Sequence, residues 1–152
     1  MSETEKAKRL TRFLRLLPID GGHELVILKG HLLIEEVLSD VLAESLRENN
    51  PLGIKVGERM MFAEKLRFAW ALNSDGLDDC VWHWLKELNQ IRNKMAHTVE
   101  PVNIESRVNK LSTEVNKFSK LSHMVAEHRE LEFSLAWLCI LLETLLHRLR
   151  AS

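Results

Sequence analysis

Apolar residues along this chain recur at intervals of three and four, the repeat that places them on one face of a helix. Leu10, Phe13, Leu14 and Leu17 keep that spacing while Lys8, Arg12 and Arg15 take the opposite side, so an amphipathic helix is predicted over about residues 4–17, ended by Pro18. Packing on the domain is its expected role; contact of the basic stripe with RNA phosphate or a membrane surface is the alternative. A second helix runs from about His23 to Glu48, apolar nearly all round except for a strip of Lys29, Glu36, Asp40 and Arg47, and stops at Asn49-Asn50-Pro51-Leu52-Gly53. A third is expected from Glu58 to about Leu72, with Phe62, Leu66, Ala69 and Trp70 on one face, before the turn Asn73-Ser74-Asp75-Gly76.

Val81, Trp84, Leu88, Ile91 and Met95 define a fourth helix from about Asp78 to His97, beyond which Pro101 blocks simple continuation. Ile104, Val108, Leu111, Val115 and Phe118 mark a fifth, and Leu131, Leu135, Leu138, Leu142, Leu145 and Leu149 a sixth. No sustained alternation of period two occurs, and no repeat of solenoid length. The fold class is therefore all-α. Short connections favour antiparallel neighbours, hence an up-and-down four-helix bundle core over about residues 22–150 with flanking helices, in a single domain covering 1–152.

Composition narrows the function classes. With 152 residues, the chain is long enough to bury roughly 70% of its unfolded surface without a metal or disulfide. Lys plus Arg number 21 against 22 Asp plus Glu, a net charge of -1, which argues against a dedicated duplex-DNA binder. Cys80 and Cys139 lie inside apolar helical patterns and read as reduced core residues. The amino terminus is charged and has no apolar signal core, and the longest apolar run, Leu135 to Leu142, falls well short of the ~20 residues that span a bilayer. A cytoplasmic protein off the membrane is expected. His83, His123, His128 and His147 lack metal-ligand spacing, and neither a metal nor a cofactor is expected.

Chemistry concentrates at the end of the fourth helix, in Arg92-Asn93-Lys94-Met95-Ala96-His97. Asn93 and His97, four residues apart, lie nearly on one line, whereas Arg92 and His97 are about 140° apart around a regular helix. Arg92 and His97 converge only if the helix frays, if the Arg side chain reaches round, or if a second chain completes the site. Imidazole titrates near neutral pH and can give or take a proton, and guanidinium is a permanent forked donor to phosphate oxygens. Asn93 is placed to orient the His97 ring, Lys94 is an RNA-contact candidate, and one such His per chain favours a two-fold dimer.

On the second helix, Glu36 belongs to the polar strip, while His31 and Glu35 fall within the arc of Ile27, Leu28, Leu38 and Leu42. A carboxylate on an apolar arc needs a partner. His31 and, across the bundle, Arg92 are the candidates for Glu35. Trp84 sits on the core stripe; Trp82 is the better exposed ring, a platform for an RNA base or the filler of a groove.

The hexapeptide Arg92 to His97 resembles the Arg-x4-6-His motif of the HEPN superfamily (higher eukaryotes and prokaryotes nucleotide-binding). The order of features over about residues 22–100 is similar to its mannitol-operon-repressor-like branch: Leu32 to Leu38 with the acidic pair Glu35-Glu36, the Pro51-Leu52-Gly53 turn, Lys65 to Leu72, then Ile91 to His97. The resemblance implies a helical bundle whose dimer brings two motifs to one cleft and, in many members, cuts RNA without metal; in some, an acidic residue stands beside the Arg and His. The family's Arg-x4-His-x-Tyr form is absent, since position 99 is Val99 and the chain has no Tyr, so modification of that tyrosine by a nucleotidyltransferase antitoxin has no target here. No helix-turn-helix with a basic recognition helix is present. The leading expectation is a metal-independent endoribonuclease of toxin or RNA-processing type, with Arg92, Asn93, His97 and Glu35 at its site and RNA or an antitoxin-like protein as partner. A non-catalytic helical regulator or protein-interaction module is the competing class, in which Arg92 pairs with Glu35 and His97 merely caps its helix.

Overall fold

A computed structural model describes residues 2–18, 22–119 and 129–152. Among them the chain is all helical: α1 (Glu3–Leu16), α2 (His23–Leu46), α3 (Phe62–Leu72), α4 (Asp79–His97), α5 (Ile104–Ser119) and α6 (Glu130–Ala151). His123 and His128 lie outside the described residues.

Local chemistry explains most boundaries. α1 begins with a capping box, in which Ser2 Oγ accepts from the Glu5 N–H at 3.2 Å and Glu5 Oε2 accepts from the Ser2 N–H at 2.9 Å. The Ser2 N–H and the Ser2 hydroxyl, which also donates to Glu5 Oε2 at 3.1 Å, lower the pKa of the Glu5 carboxyl. Phe13 and Leu17 are buried, while Lys8, Arg12 and Arg15 stay exposed. α1 is thus a packed helix, resting chiefly on α6 and tied to it by Arg9 and Glu143 at 2.6 Å.

α2 is the central helix, touching α3, α4 and α6. Gly30 permits its approach to α6, since a Cβ there would stand 2.6 Å from Leu135 Cδ1. After α2 the chain turns at Asn50-Pro51-Leu52-Gly53, where the Gly53 N–H donates to the Asn50 carbonyl at 3.1 Å and Gly53 takes a φ of 63°. Asn50 also brackets Ile54, its Nδ2 donating to the Ile54 carbonyl at 2.9 Å and its Oδ1 accepting from the Ile54 N–H at 2.8 Å. α3 starts at Phe62 rather than Glu58, because a separate turn, closed by the Met60 N–H to the Gly57 carbonyl at 3.1 Å, occupies the preceding residues.

Helix directions follow from which residues meet. His31 faces Phe62, Glu35 faces Lys65 and Ser45 faces Asn73, so α2 and α3 run in the same sense. The antiparallel expectation does not hold at this connection, since residues 47–61 carry the chain back along the bundle instead of turning it over in one step. α3 and α4 are antiparallel, with Trp70 stacked on Trp82 at 6.1 Å across the short turn between them. α4 and α5 are antiparallel too, joined by Glu87 with Arg107 and by Trp84 with Glu114. Asn103 adopts a φ of 61° just before α5, a conformation that Asn tolerates better than most residues. One buried cluster draws residues from all six described helices. Among the described residues no helix is long and apolar enough to cross a membrane.

Candidate functional site

α4 carries the Arg-Asn-Lys-Met-Ala-His segment as regular helix to His97, and Thr98 turns extended. The end does not fray before His97. The helical step therefore separates the two key residues: Arg92 projects from the side of Val81, Leu85 and Leu88, toward the bundle, and His97 from the side of Lys86 and Gln90, toward solvent. Arg92 is half-buried, and its Nη1 donates to the neighbouring Asn93 Oδ1 at 3.3 Å. That carbonyl is its hydrogen-bond partner; no carboxylate lies within ion-pair distance among the described residues. Asn93, Lys94 and His97 are exposed. Asn93 thus serves Arg92 rather than the His97 ring.

Beside Arg92 lies a polar cluster inside the apolar packing of α2, α3 and α4. His31, 5% exposed, shares a 2.9 Å hydrogen bond between Nε2 and Asn89 Oδ1 and packs its ring on Phe62, with centroids 4.3 Å apart. Asn89 has no donor at Oδ1, so His31 Nε2 carries the proton. Burial lowers the His31 pKa; the Asn89 bond and the Glu35 charge oppose that shift, while Arg92 and Lys65 reinforce it. The ring is consequently neutral at neutral pH. Glu35, one turn along α2, stands half-buried with Oε1 3.8 Å from Lys65 Nζ.

The Glu35 expectation needs correction in its partner. Its carboxylate does leave the solvated strip, where Glu36 stays exposed, but faces Lys65 of α3 instead of Arg92 of α4. Trp82 is also corrected: it is fully buried and stacked on Trp70, so it offers no surface to an RNA base. Trp84 is the half-exposed ring of the two, with Nε1 donating to Glu114 at 3.1 Å and a T-shaped contact with Phe118 at 5.3 Å between centroids. The buried arc of α4 is wider than its 3-4 stripe implies, because α2, α3 and α5 all pack on it.

Lys65 and Asn89 are the members of the cluster that sequence reasoning did not single out. The signal was there: Lys65 lies between Phe62 and Ala69 on the apolar side of α3, and Asn89 between Leu85 and Arg92 on α4. Elsewhere, a cavity of about 400 Å³ between α1, α2 and α6 is lined by Arg9, Arg12, Phe13, Leu33 and Cys139, and neither Arg92 nor His97 borders it. Burial and the Glu143 charge push the Cys139 thiol far up, which makes it unreactive. Among the described residues no three His, Cys, Asp or Glu side chains are grouped to hold a metal ion. No family model, no curated protein and no solved structure matches this chain.

Proposed function

We propose that this protein is a metal-independent endoribonuclease that works as a homodimer, in line with its resemblance to the HEPN superfamily. One observation carries the reading: among the described residues, Arg92 is a half-buried guanidinium whose hydrogen-bond partner is a neutral amide, at the same helix end as the exposed His97. A structural arginine in such a place ordinarily holds a carboxylate. This one is left with donors for an external anion.

The divergence of Arg92 and His97 around α4 supports the dimer. One chain's pair cannot grip a single phosphate, but a two-fold axis beside the end of α4 would set the His97 of each copy near the Arg92 of the other. In the proposed reaction the ribose 2'-oxygen attacks its own phosphorus as one imidazole accepts the hydroxyl proton. Arg92 stabilises the phosphorane oxygens, and the departing 5'-oxygen receives a proton from the second, protonated imidazole. The products are a 2',3'-cyclic phosphate and a 5'-hydroxyl. Lys94, exposed on the adjacent turn, would steer the RNA strand.

The test is cleavage of end-labelled RNA in EDTA. Wild type should yield cyclic-phosphate ends and leave DNA intact, and His97→Ala or Arg92→Ala should lower the rate at least about a hundredfold, with melting temperature held within a few degrees for His97→Ala. Mixing the two inactive variants should restore little activity, because the heterodimer retains only one of the two His97 imidazoles that the reaction uses. Silence on varied RNAs, together with strong destabilisation by Arg92→Ala, would favour the non-catalytic helical regulator.

A further inference from the structure

The cations of α1 fall into two sets. Lys6 pairs with Glu3 at 3.2 Å and Arg9 with Glu143 at 2.6 Å. Lys8, Arg12 and Arg15 are exposed, and among the described residues none of them has a carboxylate within ion-pair distance. Together with Thr4, Ala7 and Thr11 they line a shallow depression on the outer side of the helix, with no acidic residue in it among the described residues.

This stripe works against the stability of α1. Lys8 and Arg12 are four residues apart and Arg12 and Arg15 three, so like charges repel along one face. A glutamate at position 7 or 11 would relieve them. Ala7 and Thr11 stand there instead, and the Thr11 hydroxyl is turned back to the Ala7 carbonyl at 2.9 Å. Beside such short side chains the three long cations project beyond the surface. Lys8 and Arg12 are about 6 Å apart along the axis, close to the step between successive phosphates of one strand. A bilayer fits this face poorly, because an interfacial helix buries its apolar side in lipid, whereas Phe13 and Leu17 are already in the core with Leu10 and Leu14 packed on it. The depression also lacks a large apolar residue to anchor a protein partner. A polyanion backbone needs only the charges.

Helix directions tie the stripe to the candidate site. Arg9 meets Glu143, and Arg12 borders a cavity with Cys139, so α1 runs against α6. Leu135 stands at Gly30 and Cys139 borders the same cavity as Glu36, so α6 runs with α2, while α4 runs against it from Asn89 beside His31. From Lys8 to Arg15 the stripe therefore leads toward the end of the bundle where α4 stops at His97. Glu3 and Glu5 in the first turn of α1 close its other end to an anion.

We infer that the outer face of α1, through Lys8, Arg12 and Arg15, binds the phosphate backbone of single-stranded RNA and leads the strand toward the α4 end of the bundle. The inference rests on the ribonuclease reading for the class of ligand and adds a contact surface outside the motif.

The experiment is fluorescence-anisotropy binding of a labelled RNA of about twenty nucleotides, 2'-O-methylated so that it carries no internal nucleophile, in EDTA across a salt series. Each phosphate-binding cation contributes about 0.7 to the slope of log affinity against log salt for a single strand. The variant Lys8→Gln/Arg12→Gln/Arg15→Gln should therefore lower the slope by about 2 and weaken binding at least tenfold at low salt. Lys55→Gln/Lys110→Gln/Lys117→Gln, the same change in net charge at exposed positions elsewhere, should leave the slope as it was. Thr11→Glu, which offers Arg15 a carboxylate one turn away, should weaken binding several-fold with the fold kept. An unchanged slope in the α1 variant, an equal fall in both triple variants, or undiminished binding by Thr11→Glu overturns the inference. So does a wild type that binds no RNA, whether or not it binds phosphatidylserine vesicles. Failures of the two readings are separable: binding that depends on α1 without any cleavage removes only the catalytic assignment, and cleavage that depends on His97 with a slope indifferent to α1 removes only this surface.

Discussion

His31 shows how far a single residue can be argued from its neighbours. Its ring is buried against Phe62 and donates to Asn89, and Glu35, Lys65 and Arg92 supply the surrounding charge from α2, α3 and α4. Burial comes first among the causes and lowers the pKa below the ordinary 6.5. The unfolded chain therefore holds the proton more tightly than the folded one. Stability should be full above pH 6.5 and drain away as pH falls from there toward the folded value. Thermal melts of wild type between about pH 7.5 and pH 5 should show this loss, at buffer values set by the imidazole range. His31→Gln, which keeps an amide donor and cannot charge, should flatten that part of the profile; an undiminished slope would place the titrating group elsewhere. Sequence alone placed His31 and Glu35 on the inner arc of α2, because a wheel needs only one helix. It could not supply Lys65, since that pairing depends on which way α3 runs.

At the scale of elements, the loop that follows α2 is held by its own backbone chemistry. Gly53 occupies the left-handed region, and Asn50 closes both the turn and the Ile54 backbone. Gly53→Ala meets no neighbouring atom, so its cost is conformational alone, about 1 kcal/mol. A urea titration should show the midpoint falling by the equivalent of that energy with an unchanged slope. The sequence made this turn legible, as it did the helix ends at Leu72 and His97 and, to within two residues, those of α1 and α2, because caps and turn residues act over a few positions. The burial of Trp82 was not legible. A 3-4 stripe reports the centre of one contact face, and α4 is covered by three helices.

For the whole molecule, the six described helices share one buried cluster, which the apolar stripes foresaw. The relation of α2 to α3 was not foreseen, because antiparallel order is a preference of short connections and residues 47–61 form a longer one. That same-sense pairing has a kinetic consequence. α3 can dock only after its leading segment has doubled back along α2, whereas α3 with α4 and α4 with α5 can zip from their turns. The α2–α3 seam, with Glu35, Lys65 and the His31 to Phe62 contact, should close late in folding and open early in unfolding. Phe62→Leu should accordingly raise the unfolding rate in stopped-flow chevrons and leave the folding rate nearly unchanged, a φ-value near zero. The polar cluster would then sit on the seam most readily opened by thermal fluctuation, so the backbone amides of α3 should exchange their hydrogens ahead of those of α2 and α6.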